Sequence, residues 1–323
     1  MIIDILLLIA GLALILGGAN YLTSGASSVA KKWGVSELVI GLTIVAFGTS
    51  APELVISLMS AARHSAGLAI GNVVGSNIFN ILVIVGAVAL VRPIKVQPGI
   101  LTNEIPLVVL SSLVVLICGN AHILDGAPAD VLTRSYGLLL LLFFAIFMRY
   151  TFSIAREGGE PLPDSGTTVA ALPGWKSALM ILGGLGALVG GGEIFVRGAT
   201  GVARALDVSE AVIGVTIVAA GTSLPELATS IVAAMKNSPG LAVGNVVGSC
   251  LFNVFFVLGL SAVVSPLPMS GITNLDLLTL TGASVLFYVF GRLIKTRTFT
   301  RAEGAVMLAC YVAYTIALIA KAS

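Results

Sequence analysis

Apolar residues come in runs of about 20, the length that crosses a hydrocarbon core as a helix, with short polar stretches between them. Ten such runs are predicted, near residues 3–25, 36–60, 66–90, 99–119, 134–151, 175–198, 209–234, 239–264, 274–292 and 303–320. One connection is plainly polar, residues 154–173, where Arg156-Glu157-Gly158-Gly159-Glu160-Pro161 and Asp164-Ser165-Gly166 have nothing to bury. It separates residues 1–153 from 174–323, five predicted helices each, and is too short to hold a soluble regulatory domain.

Composition agrees with this pattern. The chain is 57% hydrophobic and 10% charged, with a mean hydropathy of +1.08, against roughly 25% charged residues in an ordinary soluble domain. A formal net charge of +2 gives no reason to expect a nucleic-acid partner. Cys118, Cys250 and Cys310 lie in apolar runs at wide spacing, which predicts buried packing residues without disulfide or metal roles. The first run is not read as a cleaved signal peptide: Asp4 stands where a basic flank is expected, and Gly17-Gly18-Ala19-Asn20 is echoed inside the chain by Gly190-Gly191-Gly192-Glu193.

That echo belongs to a longer repeat. Residues 35–60 match residues 208–233 at 17 of 26 positions, without gaps, at an offset of 173. Within them Gly48-Thr49-Ser50-Ala51-Pro52-Glu53 recurs as Gly221-Thr222-Ser223-Leu224-Pro225-Glu226. Residues 67–80 match 240–253 at 11 of 14 positions at the same offset. The chain is a duplicated unit.

Loop charges set the orientation. With the N-terminus outside, Lys31, Lys32, Arg92, Lys95, Arg149, Arg156, Lys176, Lys236, Arg292, Lys295, Arg297 and Arg301 face inward. Arg63, Arg134, Arg197, Arg204 and Lys321 then face outward, a split of 12 to 5 that favours this arrangement. An odd number of helices per half makes the second copy enter the membrane from the opposite side. The expected fold class is therefore an all-α polytopic membrane protein, with ten transmembrane helices in two inverted five-helix repeats and substrate near the midplane.

The repeated hexapeptide places a carboxylate inside an apolar span. Ser50-x-x-Glu53 and Ser223-x-x-Glu226 fit a capping box with proline in the first turn, so each motif could simply start a helix. A helix that starts at membrane depth implies one that ends there, and open carbonyls near residues 46–48 and 219–221 require a cavity to line. Cations favour such carbonyl ends. An acid at a helix centre costs about 2.5–3.5 kcal/mol on insertion scales and needs a partner; no Lys or Arg lies nearby on either helix. Two symmetric copies argue for binding over a simple kink.

The second repeat adds oxygens. Asn72, Ser76 and Asn80, like Asn245, Ser249 and Asn253, recur every fourth residue and make a polar stripe on one helix face. Asn72 and Asn245 read better as interhelical glue. Ser76, Asn80, Ser249 and Asn253 read better as neutral ligands beside two acids, and the Gly71/Gly75 and Gly244/Gly248 pairs should admit a close backbone.

These motifs resemble the alpha-1 and alpha-2 repeats of the cation/Ca2+ exchanger superfamily, in its prokaryotic sodium/calcium exchanger branch. The resemblance implies Ca2+ and Na+ as transported ions competing at one central site, with no cofactor and no protein partner beyond the bilayer. Carried over by position, Glu53 and Glu226 would be carboxylate ligands, Thr49 and Thr222 would offer backbone oxygens, and Ser50 and Ser223 would serve flanking Na+ sites. Ser76 and Ser249 would be hydroxyl ligands, and Ala46 and Ala219 carbonyl donors. Some members have Asp where this chain has Asn253, so two acids instead of three make K+ cotransport unexpected. The expected home is a bacterial or archaeal cytoplasmic membrane.

Two acids with hydroxyl, amide and backbone oxygens suit Ca2+, which takes six to eight oxygens at about 2.3–2.6 Å, better than Mg2+. An H+ counter-ion remains the alternative to Na+ on the same acids. A passive cation channel does not need two inverted copies of a broken helix. An intramembrane enzyme finds no nucleophile pair or metalloprotease motif, and His64 and His122 fall in loops.

Overall fold

Helix α1, Ile2–Trp33, ends where Gly34 turns left-handed (φ 66°) and returns its N–H to the Ala30 carbonyl, with Lys31 and Lys32 in the last turn, where the helix dipole favours cations. Ser36 then caps the next helix, its Oγ accepting from the Val39 N–H at 3.3 Å. The computed structural model describes residues 1–96, 99–156, 172–206, 219–292 and 297–322. Most of the polar linker expected over residues 154–173, and the start of the run expected over 209–234, lie outside the described residues.

The second span is broken. Helix α2, Glu37–Thr49, and helix α3, Ala51–Ala62, meet at an angle of 49° across Ser50, with Pro52 in the first turn of α3. Helices α4 (Ala66–Val91), α5 (Ile100–Cys118) and α6 (Arg134–Arg156) complete the first half. In the second half α7 is Gly174–Ala205; a short turn at Ala219–Gly221 precedes α8, Leu224–Met235. Helices α9 (Pro239–Val264), α10 (Asn274–Arg292) and α11 (Arg301–Ala322) follow. Eight of these helices are long and apolar enough to cross a membrane, and the bent pair α2–α3 makes a ninth among the described residues. The protein is an all-α polytopic membrane protein. Among the described residues the tenth expected span is represented by Ala219–Gly221 and α8.

Helices α4 and α9 form the core. Of their most apolar stretches 78% and 83% is buried inside the protein, against 17% in α6 and 22% in α1. The large apolar residues exposed on α1, α6 and α7, among them Leu6, Leu142 and Leu182, therefore face lipid. Cys310 corrects the expectation of three buried cysteines. Cys250 is buried and Cys118 half-buried, but Cys310 is exposed on α11, because an apolar residue in a peripheral helix is covered by lipid instead of protein.

The packing of α1 on α7 shows the inverted relation directly. A Cβ on Gly11 would lie 2.8 Å from the Gly191 carbonyl oxygen, and one on Gly18 would lie 2.8 Å from that of Gly184. The lower-numbered end of one helix thus meets the higher-numbered end of the other, so they run antiparallel. The offset of 173 turns Gly11 into Gly184 and Gly18 into Gly191, so the two contacts exchange with each other, as a two-fold axis in the membrane plane requires.

Each half also joins its fourth and fifth helices by a tyrosine and an acid: Tyr150 Oη donates to Glu104 at 2.8 Å and Tyr314 Oη to Asp276 at 2.8 Å. Short antiparallel ladders link the halves at the ends, β1 (Ile94–Lys95) with β4 (Thr298–Phe299), and β2 (Val131–Leu132) with β3 (Leu267–Pro268).

Candidate cation site

The backbone around both motifs is prepared by local distortions. A π-helical stretch, Gly41–Val45, precedes the first break, and two more occur at equivalent places in the core helices, Asn80–Ile84 in α4 and Phe252–Leu258 in α9. A wide turn of this kind re-aims the side chains that follow it and recurs at functional sites. Asn80 and Asn253 lie at the starts of these two stretches and are 1% and 0% exposed.

Glu53 and Glu226 are fully buried in the first turns of α3 and α8. The capping box expected of each motif does not form, since neither Ser50 nor Ser223 caps its own helix through its side chain. Each serine instead reaches across to the other half: Ser50 Oγ donates to Glu226 Oε1 at 2.7 Å and Ser223 Oγ to Glu53 Oε1 at 3.2 Å. The same Glu53 oxygen accepts from Ser76 Oγ at 3.3 Å. These reciprocal bonds bring the two acids, 173 residues apart in sequence, into one cluster.

The second oxygen of each acid, Oε2, is buried with no hydrogen-bond partner among the described residues. Thr222 Oγ1, Ser249 Oγ, Asn253 Oδ1 and both polar atoms of the Asn80 side chain are in the same condition. Buried polar groups are normally paired. Among the described residues the ion pairs are Met1 N with Asp4 and Arg197 with Glu193, so no basic side chain neutralises either acid. Unpaired oxygens on two buried acids and on hydroxyl and amide side chains of the same repeats are the donor chemistry of a hard cation.

Asn72 and Asn245 behave as glue. Asn72 Nδ2 donates to the Glu53 carbonyl at 3.1 Å and to Ser57 Oγ at 2.9 Å; Asn245 Nδ2 donates to the Glu226 carbonyl at 3.3 Å and to Ser230 Oγ at 3.0 Å. Ser57 and Ser230 were legible, since each stands four residues after its glutamate at the common offset. Asn77 was not. Its Nδ2 donates to the Cys250 carbonyl at 3.0 Å and its Oδ1 accepts from Asn253 Nδ2 at 3.1 Å, pairing α4 with α9 through a position occupied by Cys250 in the other half.

The break of α2 leaves fewer open carbonyls than expected. The Ala46 carbonyl accepts from the Ser50 N–H at 3.0 Å, and the Thr49 hydroxyl, with one proton to give, lies 3.1 Å from the Val45 carbonyl, 3.4 Å from the Ala46 carbonyl and 3.2 Å from Asn245 Oδ1. Ala219 opens the turn that leads into the second motif. The glycines meet their expectation in the second half: a Cβ on Gly244 or Gly248 would lie 2.7 Å from the Leu38 carbonyl or 2.8 Å from that of Leu42. The stretch equivalent to residues 38–44 in the second half lies outside the described residues.

A cavity of about 440 Å3 opens beside the two motifs. It is lined by Pro52, Val55 and Ile56 of α3, Gly192, Glu193 and Val196 of α7, and Thr222 and Pro225 at the second motif.

Residues 3–153 and 176–320 match the family described as sodium/calcium exchanger protein. The chain belongs to that family. It is 32% identical to the sodium/calcium exchanger MaX1 of Methanosarcina acetivorans, over 98% of this chain and 98% of that one. It is 38% identical to the inner membrane protein YrbG of Escherichia coli, over 82% and 81% of the two chains. Its fold superposes on the sodium-calcium exchanger NCX_Mj, soaked without Na+ and Ca2+, with a TM-score of 0.82 and 32% identity over 98% of this chain and 99% of that one. A member of the sodium/calcium exchanger family is a cation/Ca2+ antiporter, a transporter and not an enzyme, and this chain is an integral membrane protein of that kind.

Proposed function

We propose that this protein exchanges Ca2+ for Na+ by alternating access at the cluster of Glu53 and Glu226, in the direction of Ca2+ extrusion. In this reading Thr49, Thr222, Ser50, Ser223, Ser76, Ser249, Asn80, Asn253 and the carbonyls of Ala46 and Ala219 complete the shells of the transported ions. The units are residues 1–153 and 174–323, joined by a cytoplasmic linker over 154–173, in a bacterial or archaeal cytoplasmic membrane with the N-terminus outside. The observation that carries it is the pair of buried acids, each bonded by the serine of the other half and each with an oxygen left unpaired.

Coupling follows from charge. Empty, the cluster holds two uncompensated acids in a low-dielectric interior, and carrying it occluded across the membrane costs several kcal/mol. Ca2+ or Na+ removes that cost by neutralising the same acids, so the carrier changes sides loaded and exchange needs no separate coupling device. The cavity at Pro52, Thr222 and Pro225 lies on the side of the acids toward Ala62 and Ala205, which the loop charges assign to the outside. Protons can neutralise the same acids, which makes Ca2+/H+ exchange the second reading. Ca2+ uptake into proteoliposomes is measured under an imposed Na+ gradient and then under a pH gradient alone. Uptake driven by Na+ is expected; uptake driven only by the pH gradient overturns the Na+ assignment, and uptake with neither gradient overturns exchange in favour of a channel.

A further inference from the structure

Two hydroxyls away from the acids have no role in the cluster. Thr23 in α1 and Thr229 in α8 are 1% and 0% exposed, and neither Oγ1 has a hydrogen-bond partner among the described residues. Helical threonines usually return their hydroxyl to the carbonyl one turn back. Thr43, Thr151, Thr281 and Thr315 do so here, at 2.6–2.9 Å. Thr23 and Thr229 are therefore oriented for something other than their own helices.

The repeat supplies the place. Shifting the lining of the outer cavity by 173 converts Pro52, Ile56, Glu193, Val196, Gly221 and Thr222 into Pro225, Thr229, Asn20, Thr23, Gly48 and Thr49. Both unpaired hydroxyls thus stand where the open cavity has Ile56 and Val196. In the present conformation this second set is packed shut. Helix α1 lies along α8, Thr49 is fully buried, and Leu185 of α7 covers Gly48.

Polar contacts hold the far end closed. Lys236, at the end of α8, donates from Nζ to the Asn20 carbonyl at 3.0 Å and to Ser24 Oγ at 2.6 Å. Glu37, at the start of α2, accepts at Oε1 from Ser27 at 2.8 Å and from Ser238 at 3.0 Å. Three of these four bonds tie α1 to the end of α8 or to α2, and the fourth ties α2 to the α8–α9 turn. The open side differs: Glu193, in the place of Asn20, is 76% exposed and pairs with Arg197 of its own helix at 3.8 Å.

Alternating access, as read above, requires a cation passage on the side of the acids toward Lys31 and Lys32 that opens as the outer cavity closes; we propose that Thr23 and Thr229 line it and that Lys236 and Glu37 form the latch that holds it shut. The proposal rests on the exchange reading above. Hydroxyl oxygens in place of two aliphatic side chains make this passage the more polar of the two, suited to a cation shedding water. While the latch is closed, the Lys236 ammonium sits at the mouth and repels cations. Once it opens, Glu37 is released from its serines and presents a carboxylate to cations arriving from that side.

The test uses the full chain with Cys118, Cys250 and Cys310 replaced by Ala, reconstituted in proteoliposomes of known orientation. Single cysteines Ile56→Cys, Val196→Cys, Thr23→Cys and Thr229→Cys are titrated from each face with an impermeant thiol reagent, and Na+-driven Ca2+ uptake is recorded on the same samples. Thr23→Cys and Thr229→Cys are expected to label only from the face bearing Lys31 and Lys32, and Ile56→Cys and Val196→Cys only from the opposite face. Adding Glu37→Gln and Lys236→Met shifts the ratio of the two labelling rates about tenfold toward the Lys31 face, the population change expected on losing charge-assisted bonds. If Thr229→Cys does not assemble, Ala228→Cys, equivalent to Val55 in the outer cavity, carries the same expectation. Labelling of the threonine positions from the Val196 face, from neither face in a transporting variant, or without response to the latch substitutions overturns the proposal. Absence of Na+-driven uptake by the native chain, with the sided labelling intact in the variants, strikes the exchange reading instead and leaves the lining and the latch standing.

Discussion

Replacing Glu226 with Gln separates charge from shape. The amide keeps an oxygen to accept from Ser50, now 2.7 Å from Oε1, so the bond that joins the halves survives in neutral form. What is lost is one of two negative charges in a cluster whose Glu53, Glu226, Ser50, Ser223, Ser249 and Asn253 are all 0% exposed. A Ca2+ held between two carboxylates is balanced; held by Glu53 alone it leaves one positive charge uncompensated away from water. An uncompensated buried charge costs about 3–5 kcal/mol, which at about 1.4 kcal/mol per decade lowers the apparent Ca2+ affinity by roughly two to four powers of ten. One Na+ remains balanced by Glu53, so Na+ binding should suffer far less. The assay is Na+-driven uptake of radiolabelled Ca2+ as a function of Ca2+ concentration, with size-exclusion chromatography to verify a folded protein. A monodisperse variant whose half-saturating Ca2+ lies within about tenfold of the parent refutes the argument, because the Glu226 charge then does not balance the ion.

The cross-half serines predict an asymmetry. Ser50→Ala removes the shorter bond, 2.7 Å against 3.2 Å for Ser223→Ala, and a hydrogen bond to a charged group is worth about 1.5–3 kcal/mol; Ser50→Ala should lower the detergent melting midpoint more, and the reverse order would mean that distance does not rank these bonds. Gly248→Ala puts a methyl 2.7 Å from the Ala46 Cβ and 2.8 Å from the Leu42 backbone, an overpacking of about 1–3 kcal/mol that should lower both the melting midpoint and Ca2+ uptake. Gly282→Ala, with nothing within 4 Å of its Cβ, should be tolerated; equal tolerance at both sites would show that α2 and α9 can separate freely.

Much of this protein was readable along the chain because its information is local or periodic. Runs of apolar residues specify spans whatever they pack against, and the offset of 173 exposed the duplication, both glutamates and the serine and asparagine stripes. The odd number of predicted spans per half gave the inversion that the Gly11–Gly191 and Gly18–Gly184 contacts display.

Four matters were decided by tertiary structure. Ser50 and Glu53 have the spacing of a capping box, yet Ser50 caps no N–H of its own helix and donates its O–H to Glu226, 176 residues away, because the tertiary fold brings a carboxylate of the inverted half within reach of that hydroxyl for a charge-assisted bond. Asn77 pairs with Asn253 and the Cys250 carbonyl only because α4 and α9 cross at the centre, and no periodicity marks that crossing. The π-helical turns at Asn80–Ile84 and Phe252–Leu258 carry no composition of their own, since any apolar segment can absorb one extra residue in a turn. Cys310 looked as buried as Cys250 because hydropathy cannot distinguish an apolar face turned to lipid from one turned to protein; only the arrangement of the helices settles which solvent each residue meets.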